Sequence, residues 1–83
     1  MFTVKSIKKT CYACPSQWEG KTEDGKDIFI HLRNGYFYCN IDGKQIYEST
    51  PNGFDGVMDN NEMMRELRFV LYFPRYVLFE YEC

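Results

Sequence analysis

The chain has 83 residues, 18% of them aromatic, and its 10 basic and 12 acidic side chains leave a formal charge of -2. We expect one domain over residues 1–83, because a chain of this size supports a single core that buries about 60% of the unfolded surface. The slightly acidic balance excludes a protein that binds bulk nucleic acid, since that class needs a basic surface. No apolar run approaches the ~20 residues that span a membrane. The first residues also lack the pattern of a signal peptide, so we predict a cytoplasmic protein.

The first third of the chain predicts two strands. Residues 2–9 alternate loosely between apolar and polar side chains. Pro15 ends this stretch, because proline lacks a backbone donor and restricts the residue before it. Residues 17–22 predict the second strand, and the Asp24-Gly25 dipeptide marks the turn that follows.

The middle of the chain carries the strongest short signal for a β-hairpin. Two alternating segments, residues 27–33 and 36–41, flank Asn34-Gly35, and this dipeptide favours a two-residue turn. The two segments are therefore predicted to form strands three and four. A fifth strand is predicted at residues 44–48.

The last third predicts one helix and a final strand. Asp59 suits the N-cap position, and Glu62 follows three residues later, which is the spacing of a capping box. Apolar side chains then recur at helical spacing as far as Pro74, which ends the predicted helix. They are Met63, Leu67, Val70 and Leu71. With a strand at residues 76–81, the predicted fold is α+β, a small antiparallel sheet of about five to six strands with one helix packed on one face.

Strand parity divides the predicted hairpin into two faces with different chemistry. A two-residue turn at Asn34-Gly35 pairs residues whose numbers sum to 69, and successive side chains point to opposite sides of a strand. The apolar set is assigned to the side under the helix: Ile28, Ile30, Leu32, Phe37, Cys39 and Ile41. The polar and aromatic set is assigned to the open face: Phe29, His31, Arg33, Tyr36, Tyr38 and Asn40.

A second tight turn extends the open face. The Asp42-Gly43 dipeptide predicts another two-residue turn, across which paired residue numbers sum to 85. This register places Tyr47 opposite Tyr38 and adds Gln45 to the same side.

The position of Trp18 depends on the length of the preceding turn. A two-residue turn at Asp24-Gly25 sets Trp18 beside His31 on the open face. A three- or five-residue loop reverses the parity and makes Trp18 a core residue, because a shift of one residue moves every side chain to the other face. The sequence leaves both registers open.

The open face predicts a site for a planar, anionic, nucleotide-like ligand. Arg33 offers a planar fork that matches phosphate, His31 titrates near physiological pH, and aromatic rings stack on bases. The candidate ligand-binding residues are Trp18, Phe29, His31, Arg33, Tyr36, Tyr38, Asn40 and Tyr47. The same rings also fit cross-strand packing pairs, the interface of a homo-oligomer, which we expect here, or the interface with a host protein.

The reactive side chains favour binding over catalysis. The chain has one histidine, and it lacks a nucleophile elbow and a glycine-rich phosphate loop. We therefore predict no enzyme activity, no catalytic residue and no cofactor. The cysteines are Cys11, Cys14, Cys39 and Cys83. The first two have the spacing of a zinc site but no second close pair follows, so we predict reduced thiols and no metal, with a small zinc-stabilised structural module as an alternative.

One segment resembles a family of short, uncharacterised bacterial and phage proteins. The resemblance covers roughly residues 13–36 and is carried by Ala13-Cys14-Pro15-Ser16-Gln17-Trp18-Glu19-Gly20, Glu23-Asp24-Gly25 and Ile30-His31-Leu32-Arg33-Asn34-Gly35. His31 stands where the family pattern has an arginine, and Asn34 where it has an aromatic residue. The resemblance implies a bacterial host cytosol and a counter-defence role. In that role the protein sequesters a small nucleotide signal without catalysis or, alternatively, inhibits a host protein complex by blocking it.

Overall fold

The structure of the protein, a computed structural model, describes residues 1–11, 16–51 and 57–81, except for the side chain of Leu78. The elements in chain order are β1 (Phe2–Cys11), β2 (Ser16–Thr22), β3 (Asp27–Arg33), β4 (Tyr36–Ile41), β5 (Lys44–Ser49), α1 (Asn60–Glu66), β6 (Leu71–Tyr72) and β7 (Leu78–Tyr81). Strands three and four have the predicted bounds. Cys14, the second cysteine of the C-x-x-C motif, and residues Asn52 and Gly53 of the predicted loop lie outside the described residues.

The described strands form one curled sheet in the order β5-β4-β3-β2-β1-β6, and β7 also pairs with β1. Neighbours from β1 to β5 are antiparallel, whereas β6 and β7 both run parallel to β1 along its other edge. The predicted α+β class with an antiparallel sheet is therefore wrong: the protein is mostly β, and its mixed sheet has the shape of a half-barrel. After β5, at one edge of the sheet, the chain passes to the opposite edge before it forms β6 and β7. Both strands therefore enter the sheet parallel to β1, where an antiparallel neighbour was predicted.

The helix is much shorter than predicted. The capping box is present, because the Asp59 side chain accepts from the Glu62 amide and the Glu62 side chain accepts from the Asp59 amide. However, α1 ends at Glu66, and the chain turns so that Leu71 lies beside Phe2 in the sheet. The pairing with β1 takes the place of the last predicted helical turns, and the Phe2 amide donates to the Val70 carbonyl at 3.0 Å.

The hydrophobic core lies inside the curl of the sheet. The sheet contributes side chains from five strands, β1 to β4 and β6, and three apolar residues from the helical region, Met58, Met63 and Leu67, close the inner side. The core residues are Val4, Ile7, Trp18, Ile28, Ile30, Leu32, Phe37, Cys39, Ile41, Met58, Met63, Leu67 and Leu71. The apolar spacing of the predicted helix therefore reflects burial, although only its first part is helical.

Two local features shape the sheet. The turns at Asn34-Gly35 and Asp42-Gly43 have positive φ at both residues, from 50° to 81°, as the predicted two-residue turns require. In β2, a Cβ added at Gly20 would overlap the carbonyl oxygen of Ser6. Glycine at this position lets β1 and β2 approach closely where their register shifts, between Val4 and Ser6. Within the described residues, no helix is long and apolar enough to cross a membrane.

Candidate functional site

The predicted division of the hairpin into two faces is confirmed. In β3 and β4 the pairs are those that sum to 69, such as His31 with Tyr38 and Arg33 with Tyr36. All six residues of the apolar set are buried, whereas the six of the other set are half-buried or exposed. We call the solvent side of β2 to β5 the outer face. It carries Gln17, Glu19, Phe29, His31, Arg33, Tyr36, Tyr38, Asn40, Gln45 and Glu48.

Four rings of the outer face form one continuous cluster, which we call the aromatic row: Phe29, His31, Tyr38 and Tyr36. The ring centroids of Phe29 and His31 are 5.7 Å apart and nearly parallel, at 20°. His31 and Tyr38 are 5.2 Å apart, and Tyr38 and Tyr36 are 5.6 Å apart. These separations are typical of favourable aromatic pairs, so the row is a preformed surface.

The environment of His31, at the centre of the aromatic row, disfavours the charged form of its imidazole. Burial, followed by the nearby Arg33 guanidinium, lowers the pKa of His31 below its usual value. Its neighbours across the strands are Gln17 on β2 and Tyr38 on β4, and neither carries a charge that would favour the imidazolium. The predicted contribution of His31 to anion binding is therefore weaker than its sequence position indicates.

Arg33 and Glu48 lie at the end of the row where Tyr36 is found. In the described part of the chain, the exposed Arg33 side chain has no hydrogen-bonding or ionic partner. The Tyr36 hydroxyl donates to Glu48 Oε2 at 2.7 Å, and this bond is the main reason that the pKa of Tyr36 is raised. Gln45 Nε2 donates to the same oxygen at 2.7 Å. A carboxylate that the sequence did not predict here thus belongs to the outer face.

Tyr47 is not on the outer face, and its assignment there is wrong. The register of β4 and β5 shifts between Cys39 and Asn40, so Tyr47 pairs with Cys39 and Glu48 takes the place opposite Tyr38. The physical reason is that Ile46 and Tyr47 are adjacent and both pack against the core, which strict alternation forbids and a β-bulge permits.

The inner position of Tyr47 is stabilised by specific contacts. Its ring meets Phe37 edge-on at 6.1 Å, and its hydroxyl donates to Glu66 Oε1 at 2.7 Å. Burial, followed by this hydrogen bond, raises the pKa of Tyr47. Tyr47 therefore contributes to packing and links β5 to the end of α1.

Trp18 is a core residue, with 0% of its side chain exposed. It pairs with Ile30 and not with His31, because the loop after β2 has three residues between Thr22 and Lys26. The Thr22 amide donates to the Lys26 carbonyl at 2.9 Å, and Gly25 has a φ of +85°. Of the two registers that the sequence left open, the structure has the one that removes Trp18 from the candidate site.

Asn40 lies on the outer face, but its oxygen is not available there. Oδ1 is enclosed and has no hydrogen-bond partner among the described residues. Its cross-strand neighbours are Phe29 and Gln45. The predicted role of Asn40, to recognise a polar edge of a ligand, therefore has no support in the free protein.

A shallow groove of about 570 Å³ crosses β1, β2 and β3 beside Phe29. Its walls carry side chains of both signs: Lys8, Lys21, Glu19, Asp27 and Glu80. Two of these, Lys21 and Asp27, form an ion pair with each other, and the Asp27 hydrogen bond raises the pKa of Lys21. Another, Glu19, accepts from Gln17 Nε2 at 3.2 Å. The groove is open and mixed in charge, and it meets the aromatic row at Phe29.

The two described cysteines, Cys11 and Cys39, differ in burial. Cys39 is fully buried in the core, and burial raises the pKa of its thiol to about 12. Cys11 is half-buried at the end of β1. Over the ranges 1–11, 16–51 and 57–81, no three His, Cys, Asp or Glu side chains gather as metal ligands would. Cys14 and Cys83 lie outside those ranges, so the zinc-stabilised alternative stays a prediction.

No family model, curated protein or solved structure matches the chain. The resemblance of residues 13–36 to short bacterial and phage proteins therefore stays a prediction.

Proposed function

We propose that the chain is a non-catalytic binding protein that uses its outer face to cover a surface of a protein partner. The observation that carries this proposal is the aromatic row: four contacting rings on the solvent side of a sheet, bordered by Arg33, Glu48, Gln45 and Gln17. Aromatic side chains and arginine are enriched at protein interfaces, and a polar rim around an apolar centre is their usual anatomy. The proposed compartment is the cytosol of a bacterial host.

The shape and charge of the outer face favour a protein over a small ligand. Small-molecule sites are concave and bury about 70–90% of a ligand's surface, whereas the row lies on the outside of a curled sheet. The charge of the outer face also disfavours an anionic ligand. The pKa of His31 is lowered, and the Glu48 carboxylate, within hydrogen-bond distance of Tyr36, repels an approaching anion.

The position of His31 also supports a function without catalysis. The imidazole lies between the rings of Phe29 and Tyr38 and opposite an amide, Gln17. A general base usually has a nucleophile on one side and an orienting acid on the other. The neighbours of His31 in the described structure are of neither kind.

One observation favours a second candidate, the binding of a planar anionic ligand. The Arg33 guanidinium is exposed and has no partner in the described part of the chain, and it lies next to Tyr36 at the end of the row. A phosphate at Arg33 would allow a base to stack on the adjacent rings, which is worth about 1–3 kcal/mol per base. This candidate uses Arg33, Tyr36 and Tyr38, and excludes Trp18 and Tyr47.

The protein-binding proposal is tested by capture from bacterial lysate. The immobilised wild-type chain should retain a stoichiometric partner. Tyr38→Ala should weaken the interaction by at least about 30-fold, which corresponds to the loss of a hot-spot residue. Tyr76→Ala is the matched control, because Tyr76 is 71% exposed and lies outside the outer face. Equal effects of the two substitutions, or no retained partner, would contradict the proposal.

The second candidate is tested by calorimetry against a panel of nucleotides. Binding that is lost in Arg33→Ala but kept in Lys44→Ala would support it, because both substitutions remove one exposed positive charge and only Arg33 borders the row. If no nucleotide releases heat with the wild-type chain, this candidate is withdrawn.

A further inference from the structure

We draw no further inference here: the strongest candidate, the cavity of about 580 Å³ between α1 and β7 that is lined by Lys9, Asn60 and Tyr81, carries none, because the buried Lys9 amine donates to the Met58 carbonyl and lies over the Trp18 ring while Asn60 bonds both Trp18 and Tyr81, so these side chains are engaged within the fold.

Discussion

The indole Nε1 of Trp18 donates a hydrogen bond of 2.8 Å to Oδ1 of Asn60, and this contact joins β2 to the first turn of α1. The Asn60 amide nitrogen in turn donates to the Tyr81 hydroxyl at 2.8 Å, so three elements meet at one side chain. The amine of Lys9 lies 5.0 Å from the centre of the Trp18 ring and donates to the Met58 carbonyl at 2.6 Å. Trp18 thus contacts α1 through Asn60 and β1 through Lys9 on the inner side of the sheet.

Asn60→Ala should destabilise the fold by about 1–3 kcal/mol, because the enclosed indole N–H of Trp18 loses its acceptor and cannot reach water. Urea unfolding followed by tryptophan fluorescence measures the loss. Asn61→Ala is the matched control, since Asn61 is the exposed neighbour on the same helix, and it should cost less than about 0.5 kcal/mol. Equal midpoints for the two variants would contradict the assigned bond.

Gly20→Ala should destabilise the protein by about 3 kcal/mol or more, because the added Cβ overlaps a backbone oxygen, Ser6 O, that no rotamer change can move. Gly25→Ala is the matched control, because it introduces backbone strain without a steric overlap. Gly25 has a φ of +85° but open space around its Cβ position, so its substitution should cost only about 1–2 kcal/mol. Thermal unfolding of both variants measures the two losses. The unfolding midpoint of Gly20→Ala should be the lower one, and the reverse order would contradict the overlap at Ser6 O.

Tyr47→Phe should cost about 1–2 kcal/mol, because it removes a part-buried hydrogen bond to the Glu66 carboxylate. Tyr36→Phe removes a bond of the same length to Glu48 on the exposed outer face, where water replaces the lost partner. We therefore expect the second change to leave the free energy of unfolding almost unchanged. Chemical unfolding of the pair distinguishes the inner and outer tyrosines, and a larger loss for Tyr36→Phe would refute the bulged register of β5.

His31 should make the folded state more sensitive to mild acid. Its pKa is lowered on folding, so the unfolded chain takes up the proton first as the pH falls through the ordinary histidine range. Its contribution is therefore fully present above the unfolded pKa and is lost as the pH falls towards the folded pKa. His31→Gln removes this effect, and urea midpoints of both proteins at neutral and mildly acidic pH measure it. A wild-type chain that loses no more stability than His31→Gln would contradict the lowered pKa.

The hairpin of β3 and β4 was predictable because its information is local. Asn34-Gly35 specifies a two-residue turn with positive φ, and that turn determines every pair along both strands. The faces of Phe29, His31 and Tyr38 follow from parity alone. The capping box at Asp59 is local in the same sense, since the two residues that form it are three positions apart.

Within the candidate site, one extra residue decided the parity of a strand in two places. The three-residue loop before Lys26 places Trp18 inside, and the bulge at Ile46 places Tyr47 inside and Glu48 outside. The length of the loop leaves no distinct mark in the sequence, whereas the bulge does. One signal was present, since Ile46 and Tyr47 are adjacent large residues in a short edge strand, and only a bulge lets both reach the core.

The sequence by itself determined which side chains of the central hairpin face solvent, because a turn of known length fixes alternation over the few residues on either side. Only the tertiary structure decided the direction of β6 and β7, the end of α1 at Glu66 and the position of the Glu48 carboxylate on the outer face. These features depend on contacts between segments far apart in the chain. Residues 71–72 and 78–81 pair with β1, and Ile46 and Tyr47 both pack against the core, so packing determines the outcome.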